Sequence, residues 1–194
     1  MCGRYYIDND TLESAAADFP GAVDRISSGN HAGDILPSCV APVIGAYGAG
    51  LCFTEQRWGF PKNGGKGPVI NARAETVSSV RLFAGGISSH RIAVPAGGFY
   101  EWNTVKEKYT FTRPEGGPMY LAGIADMFEN EPRFVILTTA ANASMIKVHD
   151  RMPLILEKNQ VADWILDGSS TAPILSRTPV VLKADAEYEQ QSLF

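Results

Sequence analysis

Short, mostly apolar segments recur along the chain, and segments of this length bounded by turn residues are typical of β-strands. The segments are rich in valine, isoleucine, phenylalanine and tyrosine, with glycine or proline between them. Gly48 and Gly50 separate two such segments, so we expect a hairpin there. The predicted strands are residues 40–47, 51–58, 92–95, 99–102, 109–112, 119–126, 134–139, 152–156 and 180–183.

Helical periodicity is confined to short segments. Residues 10–18 and 159–166 place apolar side chains on one helical face, and shorter helices are predicted over residues 78–85 and 141–148. Many antiparallel strands with a few short helices predict an α+β fold. We expect a single domain over residues 1–194, with a curled, barrel-like, mainly antiparallel β core flanked by short helices.

The composition excludes several classes of protein. The 194 residues are 45% hydrophobic and 20% charged, which is typical of one globular domain. No apolar run approaches the roughly 20 residues of a membrane span, so we expect no membrane contact and a cytoplasmic location. The three cysteines are an odd number, which disfavours a disulfide framework. Cysteines and histidines lack the paired spacings of a metal centre, so we predict no metal and no cofactor.

The net charge of −4 argues against nonspecific binding to duplex DNA, which rewards a strongly basic face. The local distribution of charge matters more than the sum, because Arg4, Arg73, Lys147 and Arg151 lie in or beside the unusual motifs of the chain. A narrow basic channel on an acidic protein is suited to guiding a short single strand.

Cys2 is the most distinctive candidate for chemistry because it follows the initiator methionine. Removal of Met1 leaves an α-amine and a thiol on adjacent carbons, with ordinary pKa values of about 8 and about 8.5. Such an amine condenses with an aldehyde to an imine, and the thiolate then closes a five-membered thiazolidine ring. The alternative is an incidental buried thiol, which is the commoner role of a cysteine taken alone.

Glu101 lies between two aromatic residues, Tyr100 and Trp102, on a predicted strand. A carboxyl group buried in this way is suited to moving protons between an attacking amine, a carbinolamine and a leaving hydroxyl. Gly97 and Gly98 are expected to form a bulge just before it. The alternative is a surface glutamate on an alternating strand.

His149 is followed by Asp150 and Arg151 and, two residues later, by a proline. An imidazole that changes charge near neutral pH can protonate the ring oxygen of a sugar and so open the sugar to its aldehyde. Asp150 or a backbone carbonyl is expected to orient the ring. The alternative is a histidine that caps the end of the preceding helix.

Two further segments carry polar and aromatic groups suited to a nucleic acid. Asn71 can hydrogen-bond to sugar hydroxyls and amines, and Arg73 can bind a phosphate with two hydrogen bonds. Trp58, Phe60 and Pro61 have the apolar character needed to stack on bases or to separate strands. The alternatives are a turn asparagine, a solvated arginine and aromatic residues of the hydrophobic core.

Five segments, in order along the chain, together resemble the SOS response-associated peptidase (SRAP) family, whose members are abasic-site processing proteins. They are MCGRY at residues 1–5, WGFP at 58–61, NARAET at 71–76, VPAGGFYEW at 94–102 and HDRMP at 149–153.

This resemblance implies a sensor and shield for abasic sites in single-stranded DNA. It also implies a nucleoid-associated monomer with replication-fork machinery as a partner. Cys2 would be the nucleophile that forms a thiazolidine crosslink after Met1 is removed. Asn71 would be a positioning residue, Glu101 a proton shuttle and His149 the acid that opens the sugar and assists reversal of the crosslink.

The resemblance also implies DNA-binding residues. Arg4, Arg73 and Arg151 would hold backbone phosphates, and Trp58, Phe60 and Pro61 would contact the strand. Many relatives carry a longer apolar segment with a further tryptophan here, which puts a wedge against duplex DNA in question for this chain. Cys39 stands where many relatives have asparagine.

Two other functions compete with this interpretation. One is a cysteine peptidase that acts on protein substrates, with Cys2 as nucleophile and His149 as base. The peptidase activity in the family name is best interpreted as removal of Met1 by self-processing. The other is a noncovalent single-strand-binding module in which Cys2 has no role.

Overall fold

Short β-strands joined by turns and loops are the main regular elements of the protein. The structure is a computed structural model that describes residues 2–27, 29, 31–62, 64 and 66–187. The strands of these residues are β1 (Tyr5–Ile7), β2 (Val23–Asp24), β3 (Gly33–Ile35), β4 (Val40–Tyr47), β5 (Gly50–Trp58), β6 (Asn71–Arg73), β7 (Arg91–Ala96), β8 (Gly98–Trp102), β9 (Lys108–Thr112), β10 (Met119–Phe128), β11 (Glu131–Ala140), β12 (Arg151–Pro153), β13 (Ile155–Leu156) and β14 (Lys183–Glu187). Their helices are α1 (Asn9–Asp18), α2 (Ala84–Ser89), α3 (Lys158–Leu166) and α4 (Thr171–Leu175), with 3-10 turns at Arg81–Phe83 and Gly168–Ser170.

The long predicted strands are confirmed, and β4, β7, β10 and β11 are buried on both faces over most of their length. β4, β5 and β7 to β11 lie at the predicted positions, and β4 and β5 form the predicted antiparallel hairpin. Gly48 in its turn has a φ of 59°, a left-handed conformation that glycine adopts without strain. α1 and α3 are also confirmed. Asp8 caps α1 by accepting a hydrogen bond from the Thr11 N–H at 2.7 Å.

The helix predicted at 141–148 and the strand predicted at 180–183 are both wrong, and the cause is the same. Residues 141–148 form turns instead of a helix, because the Asn142 side chain competes with the helical backbone for hydrogen bonds. Its Oδ1 accepts from the Ser144 N–H at 3.0 Å, and its Nδ2 donates to the carbonyls of Pro179 and Val180 at 2.9 and 2.8 Å. Val180 is thereby held outside any strand, and the predicted strand at 180–183 begins only at Lys183.

Two other predictions have the wrong bounds. The strand predicted at 152–156 is interrupted at Leu154, whose N–H bonds to Leu137 while its carbonyl accepts from Ala122. This residue carries the chain from β11, the partner of β12, to β10, the partner of β13. The helix predicted at 78–85 starts later, as a 3-10 turn that continues into α2.

A closed barrel forms the centre of the fold. Strands β11, β10, β7, β4 and β5 are hydrogen-bonded in that order, and β5 pairs with β11 to complete the ring. The pairs are antiparallel except for β5 with β11, which run parallel through Arg57 opposite Arg133 and Trp58 opposite Phe134. This arrangement confirms the α+β fold with a barrel-like, mainly antiparallel core.

A second sheet lies beside the barrel. Its strands run in the order β14, β9, β8, β1, β3, and every pair is antiparallel. The sequence pattern did not indicate β1 or β3, because a strand of three residues is too short to show a period of two. The sheet matters for function because it contains the N-terminal strand.

The core divides into two clusters of buried side chains. Residues that alternate along the barrel strands, such as Val43, Val94 and Leu121, belong to one cluster, and Cys2 packs with them. Their neighbours of opposite parity form the other cluster with side chains of α2 and α3. This alternation is the pattern expected for the inside and the outside of a barrel.

A buried arginine ties two helices to the barrel. Arg91, at the start of β7, is only 5% exposed. Its guanidinium donates to the carbonyls of Ile87 and Ser88 at the end of α2, both at 2.8 Å, and to those of Trp164 and Ile165 at the end of α3, at 2.6 and 3.5 Å. It thereby satisfies carbonyls that a helix end leaves unpaired. None of the described helices is long and apolar enough to cross a membrane.

Replacing this residue should destabilise the fold without touching the N-terminal cysteine. Arg91→Met removes the donors from carbonyls at two helix ends, and we expect a loss of about 3 kcal/mol in the free energy of unfolding. Urea unfolding followed by circular dichroism measures it. Arg81→Met, at an exposed arginine, is the control, with an expected change of less than about 0.5 kcal/mol. Equal losses in the two variants would contradict the capping role of Arg91.

Candidate functional site around Cys2

The N-terminal strand places Cys2 beside Glu101. In the antiparallel pairing of β1 with β8, Tyr5 lies opposite Phe99, and the Tyr100 N–H donates to the Arg4 carbonyl at 2.9 Å. Extending this register brings Glu101 opposite the residue that follows Cys2. Cys2 has no exposed surface and Glu101 is 7% exposed, so both are buried. The buried position excludes the alternative of a surface glutamate.

Two glycines allow β1 and β8 to approach this closely. A Cβ on Gly97 would lie 2.5 Å from Cε2 of the Tyr6 ring. One on Gly98 would lie 2.6 Å from Cε1 of the same ring and 2.7 Å from the Phe111 carbonyl oxygen. Side chains larger than hydrogen therefore do not fit under Tyr6. The chain bends at Gly97, between β7 and β8. A bulge was expected at this position.

Asn71 makes a direct contact with Cys2. It is the first residue of β6, which pairs in parallel with β11 on the barrel. Its Nδ2 donates a hydrogen bond of 3.0 Å to the Cys2 carbonyl oxygen. Its Oδ1 is buried and has no hydrogen-bond partner among the described residues. An unsatisfied buried acceptor is costly in isolation, so this atom is suited to receive a donor from a bound molecule.

The Cys2 thiol is neutral at physiological pH. Burial, then the negative charge of Glu101, raise the pKa of the Cys2 thiol to about 12. The neutral thiol donates a weak hydrogen bond to the Arg4 carbonyl oxygen at 3.8 Å. The Glu101 carboxylate is therefore close enough to repel a thiolate. It is also in a position to take the thiol proton when sulfur forms a bond.

Tyr5 is a neighbour of Cys2 that the sequence did not reveal. It has no exposed surface, and its hydroxyl has no hydrogen-bond partner among the described residues. Burial, then the nearby thiols of Cys2 and Cys39, raise the pKa of the Tyr5 hydroxyl well above its ordinary value. The only available signal was a polar hydroxyl in an otherwise apolar position next to Cys2.

His149 lies just before β12, and β12 and the strand of Asn71, β6, flank the same part of β11. Register places Asn71 opposite Ile136 of β11, and Arg151 opposite Ala140 further along that strand. The Arg151 N–H donates to His149 Nδ1 at 2.9 Å, and the Asp150 Oδ1 is 2.9 Å from the same ring nitrogen. Two groups therefore approach Nδ1 of this ring. One is Asp150, as predicted, and the other is a backbone N–H.

The three arginines predicted to bind phosphates differ in their surroundings. Arg151 is held by Glu75 through two hydrogen bonds, of 2.6 and 2.8 Å, and these bonds lower the pKa of the Glu75 carboxyl. Arg4 is 3.6 Å from the Asp34 carboxylate, and its guanidinium lies over the Trp102 ring at 5.4 Å. Arg73 is exposed. Glu75 was a further residue to which the sequence assigned no role.

The aromatic residues expected to stack on bases lie inside the protein. Trp58 and Phe60 have no exposed surface, so neither has a ring face available for a base in this structure. Trp58 stacks on Phe134 and donates its Nε1–H to the Ile70 carbonyl at 3.0 Å. Their burial favours the alternative of core residues. Pro61 is exposed.

No group of three or more histidine, cysteine, aspartate or glutamate side chains is arranged to hold a metal ion within the part of the chain that the structure describes. The three cysteines in it, Cys2, Cys39 and Cys52, are free thiols.

Comparison with known proteins gives one family. A sequence model described as SOS response associated peptidase (SRAP) matches residues 1–188. The chain is 33% identical over 181 residues to the abasic site processing protein YedK of Escherichia coli, covering 85% of this chain and 79% of that protein. It is 31% identical over 195 residues to the abasic site processing protein YoaM of Bacillus subtilis, with 89% and 82% covered.

Solved structures share the fold. A protein from Bordetella bronchiseptica superimposes with a TM-score of 0.78 at 23% identity, covering 96% of this chain and all of that one. A protein from Bacteroides thetaiotaomicron superimposes with a TM-score of 0.79 at 20% identity, with 97% and 93% covered. The barrel and its second sheet are therefore common to these proteins.

The raised pKa of the Cys2 thiol predicts slow alkylation of this thiol in protein that retains Met1. With a pKa of about 12 against an ordinary value of 9.0, the Cys2 thiol should react with iodoacetamide about 1000-fold more slowly at pH 8 than a cysteine in an unfolded peptide. Its rate should keep rising as the pH increases toward 11, because the thiolate is the reactive form. Peptide mass spectrometry in a Cys39→Ser, Cys52→Ser background measures the rate. A rate within tenfold of the free peptide would contradict a neutral, buried thiol.

Proposed function

The chain belongs to the SOS response associated peptidase (SRAP) family, and from this premise we propose that it processes abasic sites in single-stranded DNA through a covalent bond to Cys2. The observation that carries the proposal is the buried contact of Cys2 with Asn71 and Glu101. An amide and a carboxylate beside an N-terminal cysteine are the groups that reaction of an amino-thiol with an aldehyde requires.

The proposed reaction begins after removal of Met1, a residue outside those that the structure describes. The α-amine of Cys2 adds to the aldehyde carbon of the opened sugar and gives a carbinolamine, whose hydroxyl takes up a proton from solvent and leaves as water to form an iminium. The thiol then adds to the same carbon. As the carbon–sulfur bond forms, the π electrons of the C=N bond move onto nitrogen, and the thiol proton passes to Glu101.

The neutral thiol supports this order of steps. A thiolate would be the stronger nucleophile, but burial and the Glu101 charge disfavour it. The amine therefore attacks first, and sulfur attacks an iminium carbon that is far more electrophilic than the aldehyde. Glu101 serves as the base in the second step, which is the proton-shuttle role predicted for it.

Asn71 and His149 act on the sugar in this proposal. The unpartnered Oδ1 of Asn71 accepts a hydrogen bond from the amine or from a sugar hydroxyl, while its Nδ2 holds the Cys2 carbonyl. His149 donates a proton to the ring oxygen, so that the bond from C1′ to this oxygen breaks and the aldehyde forms. The same group takes the proton back when the crosslink reverses and the sugar ring closes.

DNA binding is assigned to the arginines and to the exposed Pro61. Arg73 is exposed and can contact a phosphate directly. Arg4 and Arg151 are already paired with Asp34 and Glu75, so a phosphate has to replace a carboxylate at each of them. All of these residues come from one chain, so a monomer is sufficient for the proposed reaction.

The competing cysteine peptidase needs a thiolate or a thiol that an adjacent base readily deprotonates. Desolvation and the like charge of Glu101 both oppose this state at Cys2. The proposed covalent chemistry needs only a neutral thiol until the iminium has formed, so the surroundings of Cys2 favour it over peptide hydrolysis.

Removal of the nucleophile should abolish the adduct. Purified protein lacking Met1, mixed with single-stranded DNA that contains one abasic site, should give a band that survives heating in denaturing gels. Cys2→Ala should give none, because neither ring closure nor sulfur addition is possible. Cys52→Ala removes another buried cysteine and serves as the control, with an unchanged yield expected. An undiminished adduct in Cys2→Ala would falsify the mechanism.

Removal of the base should slow the same reaction. Glu101→Gln keeps the size of the side chain but cannot accept the thiol proton, so we expect crosslinking to slow at least about tenfold. Rapid quenching and gel separation measure the rate. Glu115→Gln, at an exposed glutamate, makes the same charge change elsewhere and should react like the wild type. If Glu101→Gln reacts within twofold of the wild type, Glu101 is not the shuttle.

A further inference from the structure

One ring nitrogen of His149 is approached by two groups that make opposite demands on it. The Arg151 N–H donates a hydrogen bond to Nδ1 at 2.9 Å, which requires a lone pair on this atom. The Asp150 Oδ1 lies 2.9 Å from the same Nδ1. It can accept a hydrogen bond from Nδ1 only when Nδ1 carries a proton. The two interactions exclude each other, because one nitrogen cannot accept and donate in the same plane.

Each partner selects a different form of the imidazole. With Arg151 as partner, Nδ1 keeps its lone pair and the proton of the neutral ring sits on Nε2. With Asp150 as partner, Nδ1 carries a proton. Nε2 then acts as a base in the neutral ring and as an acid in the charged ring. Only the second arrangement lets Nε2 exchange a proton in both directions.

We infer that Asp150 and the main-chain N–H of Arg151 select the tautomer of His149, and that Asp150 is a positioning residue which makes Nε2 competent for proton transfer to and from the sugar. This inference rests on the proposed function for its role in the reaction. The selection of the tautomer concerns the free protein and does not depend on any substrate.

The proton count is consistent with sugar opening. The charged imidazole gives its Nε2 proton to the ring oxygen as the bond from C1′ to that oxygen breaks and its electrons move onto oxygen. The C1′ hydroxyl releases its proton to water and becomes the aldehyde carbonyl. His149 is left as the neutral form with its proton on Nδ1, which is the form that Asp150 holds. Nε2 is then a free base, ready for the reverse transfer.

The moving part of this arrangement is Asp150. Arg151 is fixed by the pairing of β12 with β11 and by its guanidinium, which donates to Glu75 and to the Thr138 carbonyl at 2.5 Å. Its N–H therefore stays in place. The Asp150 side chain is 82% exposed, so it can turn toward Nδ1 or away from it with little steric cost.

Other charges near His149 do not repeat the action of Asp150. Lys147 precedes it by two residues and is exposed, so it supplies no acceptor for Nδ1. Glu75 is engaged by Arg151, and Arg73 on the neighbouring strand β6 adds positive charge near that pair. Among these groups Asp150 is the carboxylate at hydrogen-bond distance from the ring.

Nitrogen-15 NMR of the free protein tests the inference directly. Long-range proton–nitrogen spectra at about pH 8, where an imidazole is mostly neutral, distinguish the two tautomers. His149→Gln assigns the signal among the three histidines. We expect both tautomers of His149 in the wild type, a shift to the form protonated on Nε2 in Asp150→Ala, and the wild-type mixture again in Asp150→Glu. Asp163→Ala, at an exposed aspartate of α3, should change nothing.

Unchanged tautomer populations in Asp150→Ala would overturn the inference, whatever the activity of the protein. Crosslinking to abasic-site DNA, and its reversal, provide the second measurement. Asp150→Ala should slow both directions about tenfold, with restoration by Asp150→Glu. Equal rates in wild type and Asp150→Ala would also overturn it. If the wild type forms no adduct at all, the proposed function fails, while the NMR result still decides the tautomer inference.

Discussion

The antiparallel pairing of β1 with β8 is the constraint on which the site depends. The first residues of a chain are ordinarily free to fray, and an N-terminal nucleophile on a frayed end has no fixed surroundings. Here the Tyr100 N–H bonds to the Arg4 carbonyl, and Gly97 and Gly98 let Tyr6 pack directly on the neighbouring strand. Strand β1 is therefore fixed by its neighbours in the sheet, and Cys2 lies only three residues before this strand.

This rigid placement has an electrostatic consequence. Cys2 is buried against a carboxylate, which is the opposite of the electropositive surroundings that activate a cysteine. A protein that used Cys2 as a simple thiolate nucleophile would gain nothing from Glu101. The same carboxylate is useful to a reaction that starts at the amine and needs a base only when sulfur bonds to an iminium carbon. The buried pair thus makes sense as the arrangement of an amino-thiol reagent.

The sequence predicted those features that depend on local periodicity. Helix α3 buries one face, and strand β10 is a mostly apolar segment that is buried on both faces from Met119 to Ala125, so both are visible in the sequence. It also brought Cys2 and Glu101 together, through motifs that resemble those of a family. It did not reveal Tyr5 beside Cys2 or Glu75 on Arg151, because these contacts depend on the register of strands that are distant along the chain. Burial of Trp58 was equally hidden, since an aromatic residue suits both a core and a DNA surface.

Two of the arginines proposed to bind phosphates form ion pairs with carboxylates, and this affects how strongly an acidic protein can bind DNA. In the free protein, carboxylates of Asp34 and Glu75 already occupy Arg4 and Arg151. Under the proposed function each phosphate contact is an exchange of one anion for another, so its net gain is small compared with that of a free arginine. An undamaged strand would then bind weakly and leave quickly. Retention at a lesion would come from the covalent bond to Cys2, which forms only where an aldehyde is present, and specificity would need no strongly basic surface.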